Sequence, residues 1–88
     1  VDYLSLCPAD RALIDAAAEV MSNAFAPHTN FQVGAAIRTA SGETFQGCNV
    51  EFTSYLSMCA EGVAIGNAVS KGAYAIHAVA IIAKGDGW

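Results

Sequence analysis

Phe31-Gln32-Val33-Gly34-Ala35-Ala36-Ile37-Arg38-Thr39, then Ala40-Ser41-Gly42-Glu43, then Thr44-Phe45-Gln46-Gly47-Cys48-Asn49-Val50 reads as two strands around a turn. Val33, Ala35, Ile37 and Thr39 alternate with Gly34, Ala36 and Arg38, the two-residue period of a half-buried strand. Ala40 to Glu43 supplies turn chemistry, with Gly42 free to take a positive φ. The pattern predicts a hairpin whose return strand runs from Thr44 to Val50.

Helical signals flank this hairpin. Upstream, Pro8 suits a first helical position and Asp10 the positive end of a helix dipole. Leu13, Ala16, Ala17, Val20, Met21 and Ala24 form one apolar stripe at helical spacing, which predicts a helix from Pro8 to about Phe25, stopped by Pro27. Downstream, Cys59 to about Lys71 reads as a second helix, with Gly72 placed to cap its end. Ile76 to Ala83 is almost continuously apolar, as in a strand covered on both faces. Strand, helix and strand in that order predict a right-handed parallel crossover. The whole is an α/β layer with at least one open sheet edge.

Composition narrows the function classes. The chain has 88 residues, with eight acidic against four basic side chains and a formal net charge of −4. That balance argues against nucleic-acid binding, which depends on clustered Lys and Arg displacing counterions from phosphates. With 55% hydrophobic residues the chain is no disordered polymer, yet no run of about 18 apolar residues spans a membrane. Asp2, Asp10 and Arg11 keep the opening stretch from reading as a signal peptide. Cys7, Cys48 and Cys59 are an odd number without a C-x-x-C pair, which points to free thiols in a reducing, cytoplasmic setting. So much apolar surface on so short a chain implies either subunit contacts or membership of a larger domain.

Two stretches carry chemistry. Cys59 stands where a helix begins, and unpaired amides there favour a thiolate, a good zinc ligand. Glu61 lies in the same first turn, within reach of a water beside such a metal. The plainer reading of these residues is a small buried hydrophobe and a favourable N-terminal charge, so the spacing alone is a weak signal. Asn49 and Glu51 share one face of the predicted strand and suit a polyhydroxyl ligand such as a sugar; an exposed hairpin amide and carboxylate is the plainer alternative.

Taken together, Ala26-Pro27-His28-Thr29-Asn30-Phe31-Gln32-Val33-Gly34-Ala35-Ala36, Gly47-Cys48-Asn49-Val50-Glu51 and Cys59-Ala60-Glu61 resemble the cytidine deaminase family in order and spacing, over about Pro8 to Ala83. The resemblance implies a cytidine deaminase-like three-layer α/β sandwich, of which helix, hairpin, helix and strand are present. It implies that Cys59 is a zinc ligand and that Glu61 shuttles the proton. It implies that Asn49 and Glu51 bind the ribose, that Phe31 packs on the pyrimidine, and that the Ala60 backbone contacts the base. Tyr55 falls in the segment that borders a neighbouring subunit's site in the tetrameric members. The implied reaction is zinc-dependent hydrolytic deamination of cytidine or deoxycytidine by a cytoplasmic homo-oligomer, a tetramer being favoured. Zinc brings the pKa of a bound water down toward about 7, and one carboxyl then serves as base and acid.

Three departures modify that expectation. The family's second zinc motif, Pro-Cys-x-x-Cys, does not occur in the sequence. Residues 1–88 are therefore expected to form a single partial domain lacking the C-terminal half, inactive alone, because a catalytic zinc needs three protein ligands. Neither Cys7, Cys48, His28 nor His77 stands at a motif position that would replace them. Gly62 occupies the position that is Arg in many members, and the segment from Glu51 to Cys59 is about one residue short. Blasticidin S deaminases share both features, so an aminonucleoside of that type is the alternative substrate. A non-catalytic nucleoside-binding relative is a further alternative.

Overall fold

A computed structural model describes residues 3–52 and 56–85. After a 3-10 turn at Tyr3–Ser5, the elements are α1 (Pro8–Met21), β1 (Phe31–Thr39), β2 (Thr44–Cys48), α2 (Ala60–Ser70) and β3 (Ile76–Gly85). The strands form one sheet in the order β2-β1-β3, with both outer strands antiparallel to β1. β2 and β3 consequently run parallel to each other, and α2 crosses between them over the central strand. The expected parallel crossover is thus one strand wider than a pair of neighbours.

The helices lie on opposite faces, giving the three layers. Ala36 packs with Leu13 and Ala17 of α1 and with Ala78, Ala80 and Ile82 of β3, while Ala35 and Ile37 pack with Ala60, Ala64 and Ala68 of α2. Ala60, Ala64 and Ala68 recur every four residues and are fully buried, so α2 meets the sheet along a stripe of methyl groups. Such short side chains bring helix and sheet close. A Cβ on Gly47 would collide with the backbone of Ala60 and Ala64, and one on Gly34 with that of Ala17 and Met21. These two glycines set how closely each helix is seated. On the α1 side, Arg38 Nη2 donates to Asp10 Oδ1 at 3.1 Å and fastens the start of α1 to the middle of the sheet.

Local signals placed most boundaries. Pro8 opens α1 behind an extended Cys7, and Gly72 follows α2 with φ 83°. Four expectations are corrected by long-range contacts. The first helix ends at Met21 rather than Phe25, because Phe25 bridges to Val50: its amide donates to Asn49 O at 3.0 Å and its carbonyl accepts from Glu51 N at 2.8 Å. β2 ends at Cys48 rather than Val50, for a reason that belongs to the site below. β1, read as half-buried, is the central strand, and Gly34 to Ile37 are buried on both faces. β3, read as covered on both faces, is the outer strand among the described residues. Its Ala78, Ala80 and Ile82 face α1, whereas Val79 and Ile81 are 47% and 51% exposed, because α2 lies over β1 and β2. Among the described residues no helix is long and apolar enough to cross a membrane.

Candidate functional site

The beginning of β1, the ends of β2 and β3, and the N-terminus of α2 meet at one end of the sheet, where Gly34 pairs with Cys48 and Phe31 with Gly85. A cleft of about 320 Å³ opens there, lined by Val33, Asn49, Val50, Glu51, Ser57, Met58, Cys59, Ala60 and Glu61. Outside the carboxyl ends of strands, beside a helix N-terminus, is a favoured place for a ligand in α/β folds.

Cys59 is the extended N-cap of α2, and its Sγ accepts the Gly62 N–H at 3.4 Å. Its thiol is exposed to the cleft, while Ala60 is fully buried beneath it and Glu61 half-buried in the first helical turn. The helix start thus presents a sulfur and a carboxyl from positions two apart, with the intervening residue anchored in the core.

Asn49 interrupts the ladder in place of continuing it. Its main-chain amide donates to Val33 O at 3.2 Å, its Oδ1 accepts from Val33 N at 2.9 Å, and its Nδ2 donates to Phe31 O at 2.8 Å. The side chain imitates the next strand residue, and that is why β2 stops at Cys48. Asn49 and Glu51 therefore project from an irregular segment rather than from one strand face. Val50, between them, bridges to Phe25 on one side and Met58 on the other, which draws the segment before α2 against the cleft.

Glu51 reaches across to the 28–31 loop. Its Oε1 accepts from the backbone amides of His28 at 3.0 Å and Thr29 at 3.3 Å, and its Oε2 accepts from the Thr29 hydroxyl at 2.7 Å. The Thr29 hydroxyl is the main influence holding the carboxyl below its ordinary pKa, assisted by the two amides and opposed by partial desolvation. A carboxylate depressed in this way stabilises the loop above its ordinary value of 4.5 and loses that contribution as pH falls through the lower folded value. Acidification below that range should release the loop, seen as movement of the His28 and Thr29 amide resonances; in Glu51→Ala the transition should vanish.

The structure gathers five of the sequence-derived site residues, Asn49, Glu51, Cys59, Ala60 and Glu61, in one cleft. Phe31 is not among the lining residues but is tied to them through Asn49 Nδ2. Tyr55 lies outside the described residues. Val33, Val50, Ser57 and Met58 line the cleft without having been singled out, and Thr29 braces it; their residue types carry no signal of chemistry in a single sequence.

The chain matches the family model described as "Cytidine and deoxycytidylate deaminase zinc-binding region" over residues 8–84. It belongs to that deaminase family. A cytidine deaminase from Sporosarcina psychrophila is 36% identical over 76 residues, covering 85% of this chain and 56% of that protein. A blasticidin-S deaminase from Bacillus cereus is 38% identical over 64 residues, covering 72% of this chain and 45% of the relative. The crystal structure of a cytidine deaminase from Burkholderia pseudomallei superposes with a TM-score of 0.78 at 43% identity, covering 86% of this chain and 62% of that one. The chain spans about half the length of the curated relatives it matches.

The matched family model is a zinc-binding region. Cys59 fits as one ligand: an exposed sulfur at a helix N-terminus in the cleft. Among the described residues no group of three His, Cys, Asp or Glu side chains stands together to hold a metal, and Cys7 sits instead at the start of α1 beside Asp10. Among the described residues, Cys59 is thus a donor that fits a zinc ligand, and no further set of donors is gathered beside it.

Proposed function

We propose that the full-length protein carrying these residues hydrolytically deaminates cytidine or deoxycytidine, with Cys59 as one of three zinc ligands. The observation that supports this most directly is the single cleft in which Asn49 and Glu51 face Cys59, Ala60 and Glu61. Zinc, when bound, supplies water acidic enough to serve as a nucleophile at neutral pH. In the net reaction the water oxygen bonds to C4 of the pyrimidine, the C4–N bond breaks, and ammonia departs. Glu61 accepts one proton from the water and gives it to ring N3, then takes the second from the new C4 hydroxyl and carries it to the leaving amine. Asn49 and Glu51 hold the sugar hydroxyls, Phe31 packs on the base, and the Ala60 backbone contacts it.

Supporting features extend to assembly and compartment. Phe25 and Phe52 pack with ring centroids 5.1 Å apart and remain largely exposed, as do Leu56 and Met58, leaving apolar surface beside the cleft for the contacts of a homotetramer. By its resemblance to the tetrameric members, Tyr55 is proposed to border the substrate of a neighbouring subunit. Cys7, Cys48 and Cys59 are free thiols, in keeping with a cytoplasmic protein.

A second reading has its own support. Gly62 follows the candidate proton carrier, and a Cβ there would stand 3.3 Å from Cys59 Sγ. Together with the blasticidin-S deaminase relative, this favours an aminonucleoside of that class as the alternative substrate. The deciding experiment is steady-state deamination of cytidine, deoxycytidine and blasticidin S by the zinc-loaded full-length protein and by Glu51→Ala. The variant should raise KM for the cytidine nucleosides about tenfold with little loss of kcat, as expected for a lost hydrogen bond to a charged partner. An unchanged KM would remove the sugar assignment, and turnover of blasticidin S alone would select the second reading.

A further inference from the structure

We infer that Thr29 is a positioning residue, which fixes the Glu51 carboxylate for a sugar hydroxyl and couples it to Phe31. The inference rests on the proposed nucleoside reading of the cleft and adds a residue to it. The Thr29 hydroxyl accepts from Phe31 N at 3.1 Å and donates to Glu51 Oε2 at 2.7 Å. Because an N–H already points at the hydroxyl oxygen, its single proton is directed at the carboxylate. The chain returns from Thr29 to Phe31 through Asn30, whose φ of 55° is left-handed and is tolerated best by Asn among non-glycine residues. One hydroxyl thereby joins two residues 20 positions apart in sequence (51 − 31 = 20), which the proposed reading assigns to the sugar and to the base.

Acceptor arithmetic shows what remains for the ligand. A carboxylate offers roughly four lone-pair positions. Among the described residues, two on Oε1 are taken by the His28 and Thr29 amides and one on Oε2 by the Thr29 hydroxyl, leaving a single acceptor position on Oε2. Among the same residues Asn49 has used Oδ1 on Val33 N and one Nδ2 proton on Phe31 O, leaving one N–H. A hydroxyl that donates to Glu51 and accepts from Asn49 satisfies both. Thr29 decides which carboxylate oxygen is presented, and without it the carboxylate is free to turn about the two backbone donors.

The test compares Thr29→Val, Thr29→Ser, Glu51→Ala and Thr29→Val/Glu51→Ala in the full-length, zinc-loaded protein, with nucleoside Kd by calorimetry and KM and kcat with cytidine. Valine keeps the branched shape without the donor, and serine keeps the donor without the branch. Thr29→Val should raise Kd and KM about three- to tenfold with kcat retained, a range set by one hydrogen bond to a charged group at a partly solvated site. Thr29→Ser should restore both. The double variant should be no weaker than Glu51→Ala, because Thr29 acts through that carboxylate. If Glu51→Ala weakens binding while Thr29→Val does not, the inference fails and the nucleoside reading stands. A loss confined to kcat, or one that serine does not restore, also overturns it. A Glu51→Ala protein that binds normally overturns the sugar assignment and the role of Thr29 with it. Matched unfolding curves for Thr29→Ala and Thr29→Ser keep loss of fold from being read as loss of positioning; if Thr29→Ala unfolds with Thr29→Val while serine does not, the hydroxyl is structural and the inference fails.

Discussion

Glu61→Gln in the full-length, zinc-loaded protein should lower kcat for cytidine by about 10²–10⁴, the usual worth of a positioned general acid–base group. The substitution is nearly isosteric, and Glu61 sits half-buried in the first turn of α2 between Ala60, which is locked in the core, and Gly62, which donates to Cys59 Sγ. Helix start, cleft shape and thiol are therefore retained, and zinc content and nucleoside Kd should stay close to those of the parent. Only the capacity to take up a proton and deliver it at ring N3 is lost. Stopped assays of uridine formation alongside metal analysis separate the two properties. A near-normal rate with zinc still bound would show that the proton carrier has been misassigned. Zinc lost together with rate would instead make Glu61 part of the metal's support.

Gly47→Ala and Gly66→Ala should change stability in opposite directions, although both add one methyl group. The Gly47 methyl would enter the space of the Ala60 carbonyl and the Ala64 amide, so α2 must lift from the sheet. Overpacking of this kind costs about 1–3 kcal/mol, and backbone is less able to yield than a side chain. The lift would also displace Cys59 and Glu61, so zinc affinity should fall along with the melting temperature. Gly66 is on the exposed side of the same helix with nothing among the described residues within 4 Å. Alanine there should add up to about 1 kcal/mol through helix propensity and a less flexible unfolded chain. Urea unfolding of the two variants checks the contrast. Equal effects would mean that the close seating of α2 on β2 is not what limits position 47.

The residue types of the site were visible before their geometry was. Cys59 and Glu61 announce a helix start with chemistry, and the coincidence of three motif blocks led to the deaminase family. The grip of Thr29 on Glu51 was not visible, because the partners are 22 positions apart and neither a threonine nor a glutamate is unusual (51 − 29 = 22). The amide of Asn49 is evident in the sequence, but the two-residue period assigns it to a strand face. In the folded chain that amide takes Val33 N and Phe31 O, ending the very strand it was assigned to.

Local sequence determined where α1 and α2 begin, where the hairpin turns and where α2 stops, because proline, caps, glycine and apolar period act within a turn or two of the chain. It did not determine which strand is covered on both faces among the described residues. There the alternating run Phe31–Thr39 is the strand buried on both faces, and the continuously apolar Ile76–Ala83 is the outer one, with Val79 and Ile81 half open. Burial depends on what is laid alongside a strand, and that was decided by α2 settling over Gly47 and by β3 pairing along the free side of β1. Other long-range contacts ended α1 at Met21, where Phe25 bridges to Val50, and turned Asn49 toward β1 and Glu51 toward the loop at His28 and Thr29. Periodicity describes a segment's own preference, whereas a site is made where segments distant in the chain supply one another's missing hydrogen-bond partners.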